Sequence, residues 1–207
     1  MDVFFAYKKL LPNHAKPNRI LQQERSTSAI IFYWGIKKIF PQLAMHNLFF
    51  SEDYRGEFKY LKEGKVAKDV SIYVNLTTEH TPSDAPEGCQ NWFVMINVPS
   101  QSADSEPLNI DALREQAIAK LSRMLGEPIK PLIEIEEILS PQEIESRTQS
   151  HQGSLYGTAS NKPLSAFLRH PNFSNEVNGL YFCGGSVHPG GGIPLCLLSA
   201  KIAVELL

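Results

Sequence analysis

The residues best suited to chemistry in this 207-residue chain lie close together near its C-terminus. Between positions 184 and 194 the sequence sets out Gly184, Gly185, Ser186, His188, Gly190, Gly191, Gly192, Ile193 and Pro194. Glycines let backbone N–H groups approach a ligand without a Cβ in the way. A helix that begins just after such a loop adds a positive terminus, which favours a phosphate or the electron-rich edge of a ring. The same residues would also serve as a plain connection that packs a strand on a helix, and composition alone does not choose between the two. No Gly-Lys-Ser/Thr follows the glycines, so a triphosphate loop is not indicated, and a GxGxxG dinucleotide fingerprint is absent from the chain. His188, held in a His-Pro-Gly turn, reads as a residue that shapes the loop rather than as a general base. No serine sits in a Gly-x-Ser-x-Gly elbow, no pair of histidines has metal spacing, and no catalytic residue is assigned.

The elements that must position this loop follow from the flanking residues. Leu180 to Cys183 is a short apolar run suited to a buried strand. Pro194 stands at the start of a helix, where its missing N–H costs nothing. From Leu195 onward Leu195, Leu198, Ile202 and Leu206 share one face. The expected unit is strand, glycine-rich loop, buried helix.

The run from Leu180 to Pro194, followed by Leu198-Ser199-Ala200-Lys201, resembles the C-terminal signature of the phytoene desaturase family, FAD-dependent carotenoid desaturases and isomerases. Within that family it is most similar to the hydroxycarotenoid desaturases. His188, Pro189, the glycines, Ile193 and Pro194 keep the family spacing. Ser186 stands where the family has glycine, and Val187 where it has threonine. The resemblance implies that positions 184 to 194 named above contact the flavin of FAD. It runs from the first residues to the last, and implies the C-terminal part of a longer enzyme whose nucleotide-binding half, with its GxGxxG, is missing. On that reading the chain is a truncated gene product, inactive in isolation and not retaining FAD.

Composition sets the remaining bounds. Hydrophobic residues make up 43% and the net charge is −2, enough apolar content for a sizeable core and no basic footprint for nucleic acid. Cys89, Cys183 and Cys196 are widely spaced and odd in number, which fits a reducing compartment better than a disulfide or zinc framework. No run is long and apolar enough to span a membrane. The N-terminal residues lack a signal-peptide core. The expected location is cytoplasmic, with peripheral membrane contact left open.

The fold expected is α+β: a mostly antiparallel mixed sheet with helices on one side forms a substrate domain, joined to a C-terminal strand–loop–helix of an incomplete FAD-binding domain. The boundaries read as 1–25 for a residual part of the FAD-binding domain, 26–150 for the substrate domain, and 151–207 for the return to the FAD-binding domain. Strands are predicted at Ser26–Ile36, Asn47–Phe50, Ser71–Leu76, Trp92–Val98 and Ile129–Leu139, with the glutamates of the last on one solvated face. Helices are predicted after Ser51 as N-cap, with stripe Tyr54, Phe58 and Leu61, and after Asn109, with stripe Leu113, Ala117, Leu121 and Leu125. Ile30, Phe32 and Trp34 share one side of the first strand. They read as sheet core, or as a wall beside an apolar ligand; the likeness of Ser26–Phe50 to the family's substrate-domain strand favours the wall. Arg169 reads either as a surface cation or as a contact with cofactor or substrate entrance. In the family, the flavin carries the redox chemistry beside a long apolar polyene: hydride leaves the carotenoid for FAD. The alternative is a non-catalytic apolar-ligand or interaction module derived from the same family.

Overall fold

A computed structural model describes residues 1–161 and 168–207. In chain order the elements are α1 (Val3–Phe5), α2 (Asn18–Leu21), β1 (Ser28–Ile36), β2 (His46–Phe49), α3 (Tyr54–Lys62), β3 (Ile72–Asn75), β4 (Gln90–Val98), α4 (Ile110–Leu125), β5 (Ile133–Leu139), α5 (Pro141–Thr148) and α6 (Ile193–Glu205), with short 3₁₀ and π turns between them. The architecture is α+β. The chain divides into two compact units. One holds Met1–Ser28, Ser100–Ser102 and Pro141–Leu207; the other holds Ala29–Pro99 and Ala103–Ser140.

The second unit is built on a five-stranded sheet of order β2-β3-β4-β1-β5. The β1–β5, β2–β3 and β3–β4 pairs are antiparallel. Alternation along β4 buries Trp92, Val94, Ile96 and Val98 on one face. These meet Ile30, Phe32, Trp34 and Ile36 of β1, and Leu113, Ala117, Ile118 and Leu121 of α4. Residues 113, 117 and 121 repeat every four positions, so α4 lays one continuous apolar stripe on the sheet. Its ends are fixed as the sequence indicates: Asn109 Oδ1 accepts from the Ala112 amide at 3.0 Å, and Gly126 closes the helix at φ 74°. Lys120 lies on the buried side and resolves its charge by donating from Nζ to Asp69 Oδ1 and to the Val70 carbonyl, both at 2.8 Å.

Three local readings are corrected. The N-cap of α3 is Asp53, whose Oδ1 accepts from the Gly56 amide at 2.9 Å, and not Ser51. Ser51 Oγ instead donates to Glu57 at 2.7 Å, and Ser71 donates to the same carboxylate from its amide and its hydroxyl. Three neutral donors draw Glu57 inward, so α3 buries Glu57 and Leu61 and leaves Tyr54 and Phe58 outside. On β5, a register shift opposite Gly35/Ile36 breaks the alternation. Ile133 packs on the core, while Ile135 is 71% exposed. Glu134, Glu136 and Glu137 are all exposed, as expected of solvated glutamates, and Glu136 in addition accepts from Arg114 Nε at 2.7 Å and from the Trp34 indole N–H. In the first unit, Val3 and Tyr7 are buried and Leu10 is exposed, the chain winding into a π turn over Ala6–Leu10.

Neighbouring residues of β1 therefore differ sharply. Phe32 is fully buried and Tyr33 is 40% exposed. Phe32→Ala should cost about 3–5 kcal/mol in urea unfolding, and Tyr33→Ala no more than about 1 kcal/mol. Equal losses would mean that the strand faces are assigned the wrong way round.

Candidate functional site

The glycine loop belongs to the first unit, and its scaffold is a set of hydrogen bonds rather than a sheet. Leu180 to Cys183, expected as a strand, forms no ladder. It makes a single bridge, Phe173 to Tyr181. Residues 170 to 174 run beside the loop. The Phe182 amide donates to the Asn172 carbonyl at 2.9 Å, and the His188 amide to the His170 carbonyl at 2.8 Å. Asn172 Nδ2 lies within hydrogen-bond reach of the Phe182 carbonyl (3.0 Å), the His188 carbonyl (2.9 Å) and Ser199 Oγ (2.8 Å). Ser199, on α6, donates to the His188 carbonyl at 2.8 Å and accepts from the Gly184 amide at 3.1 Å. Both side chains are buried, so the Phe182 and His188 carbonyls and the Gly184 amide are satisfied from behind, away from water.

Arg169 is 5% exposed, which overturns the surface-cation reading. Its Nη1 donates to the carbonyls of Tyr156 (2.9 Å) and Gly185 (3.1 Å). Its Nη2 donates to the Thr158 carbonyl (2.6 Å) and Ser160 Oγ (3.1 Å). Burial pulls its pKa below the usual guanidinium range, and the nearby Arg25 pulls it the same way. A planar fork with several donors is the side chain suited to gathering three carbonyls at once.

The glycines differ in why they are glycine. At Gly190, φ is 140° and a Cβ would lie 3.1 Å from Arg169 Nε. At Gly191 a Cβ would lie 2.6 Å from the Tyr156 ring. At Gly157 it would lie 2.8 Å from Ser186 Cα. These are close approaches within the unit itself. Gly192 is exposed at φ 97° and a Cβ would meet nothing within 4 Å; it is the N-cap of α6, whose terminus no side chain caps. Ile193 and Pro194 are exposed beside it. Ser186 Oγ accepts from the Val3 amide at 3.0 Å, and Val187 is buried with Val3, Tyr7 and Leu21. The two departures from the family pattern are thus internal contacts of this unit. His188 is bound through its carbonyl, as a loop-shaping residue would be.

α6 corrects a further expectation. The side it buries is Ser199 and Ala203, while Leu195, Leu198 and Leu206 are exposed. Small side chains let the helix sit close on the loop backbone, and the large aliphatic ones cannot follow. His170 lies beneath the loop. Its Nδ1 contacts the Pro171 carbonyl at 2.7 Å, so this nitrogen carries the proton and Nε2 accepts from the Tyr7 hydroxyl at 3.0 Å. Ala166 and Phe167, read with Arg169, lie outside the described residues.

The second unit holds the other expected site residues. Ile30, Phe32 and Trp34 are 0%, 0% and 1% exposed and form core under α4. The face that β1 leaves open carries Tyr33 and Gly35. There Tyr33, Gly35, Phe93 and Ile135 line an open hollow of about 500 Å³. Tyr33 and Phe93 meet edge to face with ring centres 5.6 Å apart, and Thr77, Asp84 and Asn91 lie on its polar side. Among the described residues no group of three or more His, Cys, Asp or Glu comes together as a metal site, and no helix is long and apolar enough to cross a membrane.

No protein-family model matches the chain. Known proteins do. A 1-hydroxycarotenoid 3,4-desaturase of Flavobacterium sp. (strain P99-3) is 50% identical over the whole chain and 43% of its own length. A 4,4'-diapolycopene oxygenase of Methylomonas sp. is 34% identical over 98% of the chain and 41% of its own. A phytoene desaturase of Fusarium fujikuroi is 30% identical over 99% of the chain and 40% of its own. The relatives' names are largely those of oxidoreductases acting on carotenoids. Over the span it covers, this chain belongs to the carotenoid desaturase family; it spans about two fifths of the length of the curated relatives it matches.

Asn172, Ser199 and Tyr156 were not singled out by sequence reasoning. Ser199 did stand inside the Leu198-Ser199-Ala200-Lys201 stretch, and a polar residue in an apolar helix is the signal that could have marked it.

Two outcomes follow for the first unit. Arg169→Gln strands the carbonyls of Tyr156, Thr158 and Gly185 and should destabilise the unit by at least about 2 kcal/mol in thermal or urea unfolding; an unchanged midpoint would show that the clamp carries no weight. Burial holds the His170 pKa below its ordinary value, although its bond to the Pro171 carbonyl opposes this. The unfolded chain therefore binds the proton more readily. Stability is complete above the unfolded pKa of about 6.5 and falls as pH drops through 6.5 toward the lower folded value. Unfolding midpoints measured from pH 7.5 to 5 should decline, and His170→Gln should flatten the decline.

Proposed function

We propose that the chain provides the glycine-loop side of a flavin site and the apolar substrate face of an FAD-dependent oxidoreductase that desaturates or isomerises a carotenoid. The observation that carries this reading is the 50% identity along the whole chain to a 1-hydroxycarotenoid 3,4-desaturase. The residues present fit such a cofactor at one place. Gly192 leaves open space where a Cβ would stand, at the uncapped N-terminus of α6. Bound FAD would supply the redox chemistry, taking up a hydride from the polyene.

The chain's own residues bind and orient. Gly192, Ile193 and Pro194 offer backbone and an apolar edge to the ring system. Gly184, Gly185, Ser186, His188, Gly190 and Gly191 hold that backbone in shape, bracketed by Asn172 and Ser199 and clamped by Arg169. In the second unit, Tyr33, Phe93 and Ile135 present the apolar surface on which a long polyene lies. Ile30, Phe32 and Trp34 support that wall from beneath rather than touch the substrate. The contacts to pyrophosphate and ribose belong to a GxGxxG unit, a motif this chain does not contain. The 207-residue chain alone is therefore inactive and does not hold FAD.

The test uses flavin absorbance after desalting. The 207-residue chain should emerge colourless. In the complete enzyme, Gly192→Ala should lower flavin occupancy at least tenfold. Gly179→Ala is the control: it has φ 76°, also with nothing within 4 Å, and also places alanine at a positive φ, away from the loop. Equal occupancy in both would remove Gly192 from the flavin site. Retention of carotenoid without any flavin requirement would favour a non-catalytic binding module.

A further inference from the structure

We propose that Asp84, aligned by Thr77 and Asn91, binds a hydroxyl at the end of the polyene and so makes the hollow on the open sheet face selective for a chain-end alcohol; this rests on the reading of that hollow as the polyene surface. The hollow is apolar along Tyr33, Phe93 and Ile135. Its polar side lies where the connection between β3 and β4 leaves the sheet. Asn75 of β3 stands opposite Phe93 of β4, which brings Thr77 alongside Asn91 two residues further on. Asp84 follows in a short 3₁₀ turn of the same connection. Three hydrogen bonds then run in one direction. The Thr78 amide donates to Asn91 Oδ1 at 3.2 Å. A backbone N–H needs an oxygen there, so the Asn91 amide faces one way only, and its Nδ2 donates to Thr77 Oγ1 at 2.7 Å. The Thr77 hydroxyl, its oxygen engaged, gives its own hydrogen to Asp84 Oδ2.

The groups that this relay leaves unused define the ligand. Among the described residues Asp84 Oδ1 has no hydrogen-bond partner, and neither has the second hydrogen of Asn91 Nδ2. One acceptor and one donor therefore stand at the polar side of an apolar hollow. A hydroxyl meets both, because it donates and accepts at the same atom. A hydrocarbon end meets neither. A carbonyl would use Asn91 and leave the carboxylate without a donor. An ammonium would suit Asp84 but has no lone pair for Asn91. A carboxylate end would face Asp84, Glu134 and Glu137, which line the same hollow, and like charge disfavours it. Asp84 is exposed, so water competes for its free oxygen and the selectivity is smaller than at a dry site.

The experiment is fluorescence titration of the 207-residue chain with three polyenes of one carbon skeleton. All-trans-retinol carries a terminal hydroxyl, retinyl methyl ether keeps the oxygen without the donor, and the hydrocarbon axerophthene has neither. Retinol should bind about tenfold tighter than the other two. Asp84→Ala should abolish that preference while leaving the affinity for axerophthene unchanged, which shows the hollow intact. Thr77→Val removes the hydroxyl that orients the carboxylate and should reduce the preference, again without effect on axerophthene. Tyr33→Ser/Ile135→Ser tests the underlying reading separately, because it should weaken all three polyenes alike. Equal affinities of the unaltered chain for the three, each weakened by Tyr33→Ser/Ile135→Ser, would overturn the hydroxyl assignment and leave the polyene surface standing. A retinol preference that survives Asp84→Ala would overturn it as well. Binding of none of the three, or binding indifferent to Tyr33→Ser/Ile135→Ser, would remove the polyene surface and the proposal together.

Discussion

A buried guanidinium without a carboxylate partner governs the first unit. Arg169 reaches three backbone carbonyls from two stretches, those of Tyr156 and Thr158 in one and of Gly185 in the other, and so ties the segment at 156–160 to the glycine loop. Burying a charge on neutral dipoles is costly unless its donors are used. The arrangement therefore persists only while those carbonyls stay where they are, and the loop conformation and the cation depend on each other. Gly190 fits it, because a Cβ there would press on the guanidinium at 3.1 Å and its φ of 140° suits glycine. From the opposite side, Asn172 and Ser199 satisfy the turn's own carbonyls and amides. A loop rich in glycine would otherwise be the most flexible part of the unit; here the Gly184 and His188 amides and the Gly185 and His188 carbonyls are hydrogen-bonded, and the open end at Gly192 is offered to whatever binds.

The second unit turns on a different balance. Its core is a sheet face covered by α4, with Trp34, Trp92, Phe32 and Phe40 as the bulk. The same sheet keeps an aromatic open face, Tyr33 and Phe93. Because side chains alternate along a strand, full burial of one face and availability of the other are a single fact. On α3 a buried carboxylate decides which side faces in. Glu57, held by Ser51 and Ser71, occupies a position that Tyr54 and Phe58 would take if hydrophobicity alone set the rotation.

Much of the fold could be read from residue order. The positions of the five strands and of α3, α4 and α6, the caps at Asn109 and Gly126, and the loop ending at Pro194 all follow from periodicity, capping chemistry and the conformational limits of glycine and proline. The family resemblance was likewise legible, since the His188–Pro194 spacing is a property of the chain itself, and the similarity to carotenoid desaturases bears it out.

Sequence by itself determined which segments are helices and strands, which stretch is the candidate site, and to which family the chain belongs. Those depend on local propensity and on residue spacing. Tertiary structure alone decided which way each element faces. Apolar runs on both sides of β1 left its inner face open until α4 covered Ile30, Phe32 and Trp34. The rotation of α6 came from small residues that let it approach the loop, and that of α3 from Ser51 and Ser71, which lie on either side of it in the chain. Arg169 could be exposed or buried as far as its neighbours in sequence say; only the convergence of three carbonyls from two stretches made it a clamp. Partners of this kind are contributed by residues far apart in the chain, and no local pattern encodes them.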